Sequence, residues 1–205
     1  SAIAGTPDLS DQSLRASERS WVKIAAQSQG WIPAVAADGV ELDAIGQWYE
    51  GTKPGQTVRA TRFHWEVPGS IARGDGESRW TKLSSSPDGT GPYRGNSEVI
   101  FKQSFLDAQI PESNNSGLAA RGRSGLLLQK AGALHPALYV GEVFDNNTFV
   151  FIPHDDSDIR PLYAFMASGE FAEQCRGMNQ KLDVSIRTVG RVRFDRDRWR
   201  EVAAE

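Results

Sequence analysis

"SGLLLQKAGALHPALYVGEVFDNNTFVFIPHDDSD", residues 124–158, decides the fold class. Within it SGLLLQK, ALYVGEVF and NTFVFIP are short apolar, β-branched and aromatic runs bounded by Gly, Asn and Pro, and each is expected to be a strand. FDNNTF between the last two is a turn, with Asn146 and Asn147 suited to left-handed backbone. Ser157 and Asp158 then cap a helix over 159–168, and a second helix runs from Phe171 to about Gln180 with Gly169 at the junction. Upstream, SEVIFK (97–102) adds a strand. Downstream, TVGRVRF (188–194) adds another, and residues 195–204 close the chain as a helix. Strands and helices interleave without a regular βαβ rhythm. The expected class is therefore α+β, a mixed or antiparallel sheet with packed helices.

Working outward, residues 1–13 read as a flexible polar lead, and residues 14–205 as one domain. Residues 14–27 read as a helix with Leu14, Trp21, Ile24 and Ala25 on one face. Residues 29–51 mix apolar residues with turn formers and show no clear period. GDGES (74–78) and LSSSPDGTGP (83–92) are loops. The chain opens Ser-Ala-Ile without an initiator Met and is read as part of a longer polypeptide.

The chain has 205 residues, 39% of them hydrophobic and 24% charged, enough for one core. A net charge of −3 argues against a protein that coats nucleic acid at large. The charge is uneven, however. Arg176, Lys181, Arg187, Arg191, Arg193, Arg196, Arg198 and Arg200 crowd the C-terminal end against Asp183, Asp195 and Asp197. Cys175 is the only cysteine, so no intrachain disulfide can form, which fits the cytoplasm. No apolar run reaches membrane-spanning length and no signal-peptide pattern opens the chain.

Catalysis needs converging groups, and the sequence offers few. IPHDDSD (152–158) has metal-ligand residue types, but Pro153 ends a strand and the acids suit a turn and a helix N-terminus. Asp88, Glu98 and Lys102 resemble a metal-dependent nuclease set, yet Glu98 and Lys102 stand four apart rather than two, and Pro87-Asp88-Gly89 is a turn signature. Ser124 and Ser185 have no neighbouring base in sequence. Cys175 falls inside a helix as a buried thiol. There is no phosphate-binding loop or dinucleotide fingerprint.

Four clusters of basic and hydroxyl residues beside glycine turns remain. They hold Lys53, Arg59 and Arg62, anchored by Phe63 and Trp65; Lys82, Tyr93 and Arg94 around the Ser/Gly loop; Arg121 and Arg123 entering a strand; and Gln180, Lys181, Ser185, Arg187 and Thr188. Such residues contact phosphates and base edges. The plainer reading is solvated loops with arginines in surface ion pairs, some of them with Asp195 and Asp197.

Taken in order, these clusters resemble a known family. EGTKPGQTVRATRFHWEV (50–67), RWTKLSSSPDGTGPYRGNSEVIFK (79–102), RGRSGLLLQKAGALHPALYVGEVF (121–144) and residues 159–199 are similar to successive segments of the C-terminal target-recognition domain of adenine-N6 DNA methyltransferases of the type IIG restriction–modification and phage-defence group. The last match is the most specific, with Asn179, Gln180, Lys181, Leu182, Val184, Thr188, Val192, Phe194, Asp195 and Trp199 in register. Lys53-Pro54-Gly55-Gln56 stands where the family has Thr-Gly-Asp-Asn, Ser86-Pro87-Asp88 near its Lys-Gly-Gly, and Arg193 where it has Pro.

The resemblance implies a domain that reads double-stranded DNA and positions it for an upstream methyltransferase domain of the same polypeptide. S-adenosylmethionine belongs to that parent enzyme. The donor-binding and Asn-Pro-Pro-Tyr/Phe motifs of the catalytic domain are absent from this chain, so no catalytic residue, metal or cofactor is assigned to it. Gln180, Lys181, Arg187 and Thr188 are expected to face DNA, and Phe194 and Trp199 to be buried. The alternatives are a protein-interaction module, motivated by an aromatic surface at Trp31, Trp48 and Tyr49, and a nuclease fragment.

Overall fold

Leu126 and Leu128 pack on one side of a strand and Leu127 on the other, and both sides are buried. Phe149 and Phe151 join the first side, and Val150 and Ile152 the second. This two-residue alternation, apolar in both phases, is what a central strand covered on both faces requires. The computed structural model describes residues 39–54, 57–67, 79–93, 98–101, 113–114 and 116–204. Ala37–Glu205 form a compact unit. The expected helix at 14–27, the GDGES loop, Trp31, Arg94 and Lys102 lie outside the described residues.

In chain order the unit contains β1 (Val40–Glu41), α1 (Leu42–Ile45), β2 (Gly46–Glu50), β3 (Lys53–Pro54), α2 (Thr57–Ala60) and β4 (Thr61–Phe63). A 3-10 turn follows at His64–Glu66. Next come β5 (Trp80–Ser84), β6 (Glu98–Phe101), β7 (Ser113–Asn114), a 3-10 segment at Ser116–Ala120, β8 (Gly125–Gln129), β9 (Pro136–Tyr139), β10 (Val143–Phe144) and β11 (Thr148–Pro153). A 3-10 turn at Asp156–Asp158 leads into α3 (Ile159–Ala167), α4 (Glu170–Met178), α5 (Ile186–Gly190), β12 (Arg193–Phe194) and α6 (Arg196–Val202). The class is α+β.

The principal sheet has the order β2-β11-β8-β9 and is antiparallel throughout. Its first face carries the helical layer. There Trp48, Phe149 and Phe151 meet Leu162, Phe165, Phe171, Phe194 and Trp199. Phe165 lies at the centre, 5.5 Å from both Phe194 and Trp199 and 6.0 Å from Phe171. Each fully buried side chain of this size contributes about 1.5–3 kcal/mol by removal from water. The second face packs Tyr49, Leu127, Ala137, Tyr139 and Phe144 against Ala120.

A second sheet, β10-β5-β6-β4, is antiparallel except at the parallel β10–β5 pair. β10 joins the two halves. Phe144 belongs to the core under the principal sheet, while Val143 packs with Ala60, Leu83 and Ile100 beneath the second.

Several local expectations change. Thr188, Val189 and Gly190 form part of α5 rather than a strand, because the Ser185 hydroxyl caps the Thr188 N–H. Only Arg193 and Phe194 of that run are extended, pairing with β1. ALYVGEVF is two strands, β9 and β10, broken at Gly141. The Asn146-Asn147 turn is closed by the Asp145 carboxylate, which accepts the Asn147 N–H at 2.9 Å, and Leu134 is the non-glycine residue with positive φ among those described. Lys53 and Pro54, expected in a loop, pair with Ser113 and Asn114. Gly169 takes the left-handed conformation at the α3–α4 junction, with φ of 92°.

Candidate nucleic-acid interface

Two of the sequence clusters meet at a crossing of two glycines. The turn carrying Arg121, Gly122 and Arg123 lies against the turn at Gly141, with the Gly122 N–H donating to the Gly141 carbonyl at 3.0 Å. A Cβ on Gly141 would come within 2.8 Å of the Gly122 backbone, so the contact requires glycine. Glu142 follows directly. Its carboxylate accepts from the Tyr93 hydroxyl at 3.3 Å and the Ser84 hydroxyl at 3.4 Å, and its backbone carbonyl accepts from Tyr139 at 2.5 Å. Burial and the Glu142 charge raise the Tyr139 phenol well above its ordinary range, Arg121 opposing them; the Tyr93 phenol is raised by burial and Glu142. Tyr93, Arg121 and Arg123 thus belong to one neighbourhood although they are far apart in sequence.

Lys82 is exposed on β5, and its ladder row runs Arg62–Val99–Lys82 across β4, β6 and β5. Residues in register share a face, so the two cations flank the buried Val99, about 10 Å apart at the backbone. Arg62 is held by donation to the Val58 and Thr61 carbonyls at 2.8 and 2.6 Å. Arg123 is likewise held, donating to the Tyr49 hydroxyl at 3.0 Å. Lys53, Arg59 and Arg121 are exposed.

The loop between β5 and β6 crosses the edge strand β9. Gly89 lies against the His135 ring, and the Leu138 N–H donates to the Pro92 carbonyl at 2.6 Å. Asp88 closes this loop locally, accepting from the N–H and hydroxyl of Thr90 at 3.0 and 2.7 Å. The β8–β9 turn in turn meets the loop after α4: Gly132 donates to the Leu182 carbonyl, and Val184 to that of Lys130. Gln180, Lys181 and Arg187 are exposed there. Ser185, a candidate binding residue, and Thr188, expected to face DNA, bond to each other through their hydroxyls at 3.0 Å and serve the α5 cap.

The arginine-rich C-terminal end is mostly engaged. Asp158 is fully buried, 0% exposed, and receives Arg196 through two bonds, the Nε contact at 2.9 Å, and Arg200 at 3.0 Å. Arg198 pairs with Glu170 at 2.9 Å. Arg176 donates to the carbonyls of Gly132, Lys181 and Leu182, and Arg193 to that of Gly39 at 3.0 Å. The expected partners Asp195 and Asp197 are not the ones used; Asp195 instead caps α6 through the Arg198 N–H. Nor does Asp158 cap α3. Asp155 instead meets Ser157, whose hydroxyl and then N–H hold its carboxyl below the usual range.

Trp48 and Tyr49 are core residues, so the aromatic surface that suggested a docking module is not built by those two. Phe63 and Trp65, expected as anchors, are exposed. Among the described residues no cluster of three or more His, Cys, Asp and Glu side chains could hold a metal, and no helix is long and apolar enough to cross a membrane. Sequence reasoning did not single out Glu142, and it gave Asp158 the role of a helix cap. Each gathers partners from distant segments, and only a hydroxyl-rich or arginine-rich stretch elsewhere hinted at them.

No family model and no curated protein matches the chain. Among solved structures, the HsdS subunit from Thermoanaerobacter tengcongensis is similar, with 12% identity over 93% of this chain and a TM-score of 0.49. The chain spans 45% of the length of that protein.

Proposed function

We propose that this chain is a sequence-specific DNA target-recognition domain of an adenine-N6 DNA methyltransferase of the type IIG restriction–modification and phage-defence group. It positions duplex DNA for an upstream catalytic domain of the same polypeptide, which binds S-adenosylmethionine. The observation that carries the reading is the Gly122–Gly141 crossing, which brings Tyr93, Arg121 and Arg123 together with Glu142. Cations there attract phosphate, while the exposed Tyr93 phenol and the Glu142 carboxylate offer a donor and acceptors of the kind that read base edges. Arg121, Lys82, Lys181 and Arg187 are the phosphate-facing residues of this reading. Among the described residues none of the four has an ion-pair partner. Val184, Val192, Phe194 and Trp199 of the family-like motif are buried, so those four positions maintain the frame.

The test is fluorescence anisotropy of a mixed-sequence duplex over a salt series, followed by selection of preferred sites from a random library. Binding should weaken steeply with salt. Arg121→Ala, Lys181→Ala and Arg187→Ala should each lower the salt slope by about 1 without altering thermal stability. Salt-independent binding, or three variants indistinguishable from the parent, would refute the reading.

A further inference from the structure

Phe63 and Trp65 form a stacked pair on the surface. Their ring centroids are 4.5 Å apart and their planes lie within 3°. They are 45% and 64% exposed, and His64 stands edge-on to Trp65 at 4.9 Å. Stacking of this kind is ordinarily a feature of interiors and interfaces, where both ring faces are covered.

The corner that carries them is tied down. The Glu66 carboxylate accepts the Phe63 N–H at 2.7 Å, which fixes the passage from β4 into the 3-10 turn. Arg62 binds carbonyls of α2 and β4, which fixes the strand on its other side. The rings are therefore preorganised, and binding a partner orders little that is not already ordered. Among the described residues β4 is the edge strand of its sheet, so the pair projects at a border. The segment from β3 to the turn carries Lys53, Arg59 and Arg62. Against them stand Glu66, already engaged by Phe63, and Glu98 across the ladder. Cations outnumber carboxylates here in a chain whose net charge is −3. Flat aromatic faces beside local positive charge suit a polyanion with stacked bases.

We infer that the Phe63–Trp65 pair is a wedge that stacks against the bases of duplex DNA and opens one base step. The inference rests on the DNA-recognition reading above and adds a deformation to it, independent of the Gly122–Gly141 neighbourhood.

The experiment uses the full chain and a set of duplexes carrying 2-aminopurine at successive positions. Binding of the parent should raise 2-aminopurine fluorescence at one step, because unstacking relieves its quenching. Trp65→Ala should bind roughly ten-fold more weakly and lose the rise. Its salt slope should stay unchanged, since no phosphate contact is removed. Trp65→Phe should recover most of both signals. Because both rings are exposed, the thermal midpoint of either variant should match the parent, which separates a lost contact from a lost fold. A parent that binds duplex while Trp65→Ala keeps its affinity and its fluorescence rise overturns the wedge alone. A parent that binds no duplex at any salt concentration overturns the DNA reading, and the wedge with it.

Discussion

Replacing Asp158 by Asn keeps the shape of the side chain and removes its charge. In the parent the carboxylate is fully buried and accepts three bonds, two from Arg196 and one from Arg200. An amide oxygen in the Oδ1 position keeps the bonds from Arg196 Nε and Arg200, but the amide NH2 then points at the second Arg196 donor. One charge-assisted bond is lost, about 1.5–3 kcal/mol, and the two that remain weaken by about 1 kcal/mol each with a neutral acceptor. Two effects reduce the total. The guanidiniums, with side chains 37% and 42% exposed, regain water, and the variant no longer buries a charge. A net destabilisation of about 2–3 kcal/mol is expected, which in a chain of this size lowers Tm by roughly 4–12 °C. Urea unfolding followed by circular dichroism, with an unchanged m-value, measures it directly. The Arg198–Glu170 pair is the comparison, because both partners are partly solvated. Arg198→Ala should cost about 1 kcal/mol or less. If Asp158→Asn proved as mild as Arg198→Ala, the buried carboxylate would not be what joins α3 to α6, and the account of the arginine-rich end would be wrong.

Cys175 is fully buried, and burial pushes its thiol up to about 12; it should resist Ellman's reagent in the native state and react only under denaturing conditions. Tyr139 is held protonated by burial and by Glu142, so its folded value lies above its unfolded one. The stability this contributes is complete below about pH 10, the unfolded value, and declines as pH rises beyond it. Absorbance at 295 nm should therefore show Tyr139 ionising together with alkaline unfolding, and free titration in a still-folded chain would contradict the assignment.

The strands from Gly125 to Pro153 were legible because their apolar runs are short and bounded by Gly, Asn and Pro, as were α3, α4 and α6. The run 188–194 misled because Thr188, Val189 and Val192 have strand-like side chains, while one hydroxyl at Ser185 was enough to start a helix. The C-terminal arginines look like a binding face in sequence. Their meaning depends on Asp158, 38 residues before Arg196, and on Glu170, and proximity in sequence pointed instead to Asp195 and Asp197. Glu142 was invisible for the same reason: Tyr93 is 49 residues away and Ser84 is 58. Basic residues could be nominated from composition, but only the fold separated those used as internal braces, such as Arg62, Arg176 and Arg196, from those left facing solvent.

The ladder between β1 and β12 sets Val40 opposite Phe194, and the Gly39 carbonyl takes the guanidinium of Arg193 across 154 positions of chain. The first described strand of this unit and the strand before its final helix thus lie about 5 Å apart. The pair acts as a clasp: fraying of β1 uncovers the core residue Phe194, and release of Phe194 frees β1, so amides at both places should exchange together.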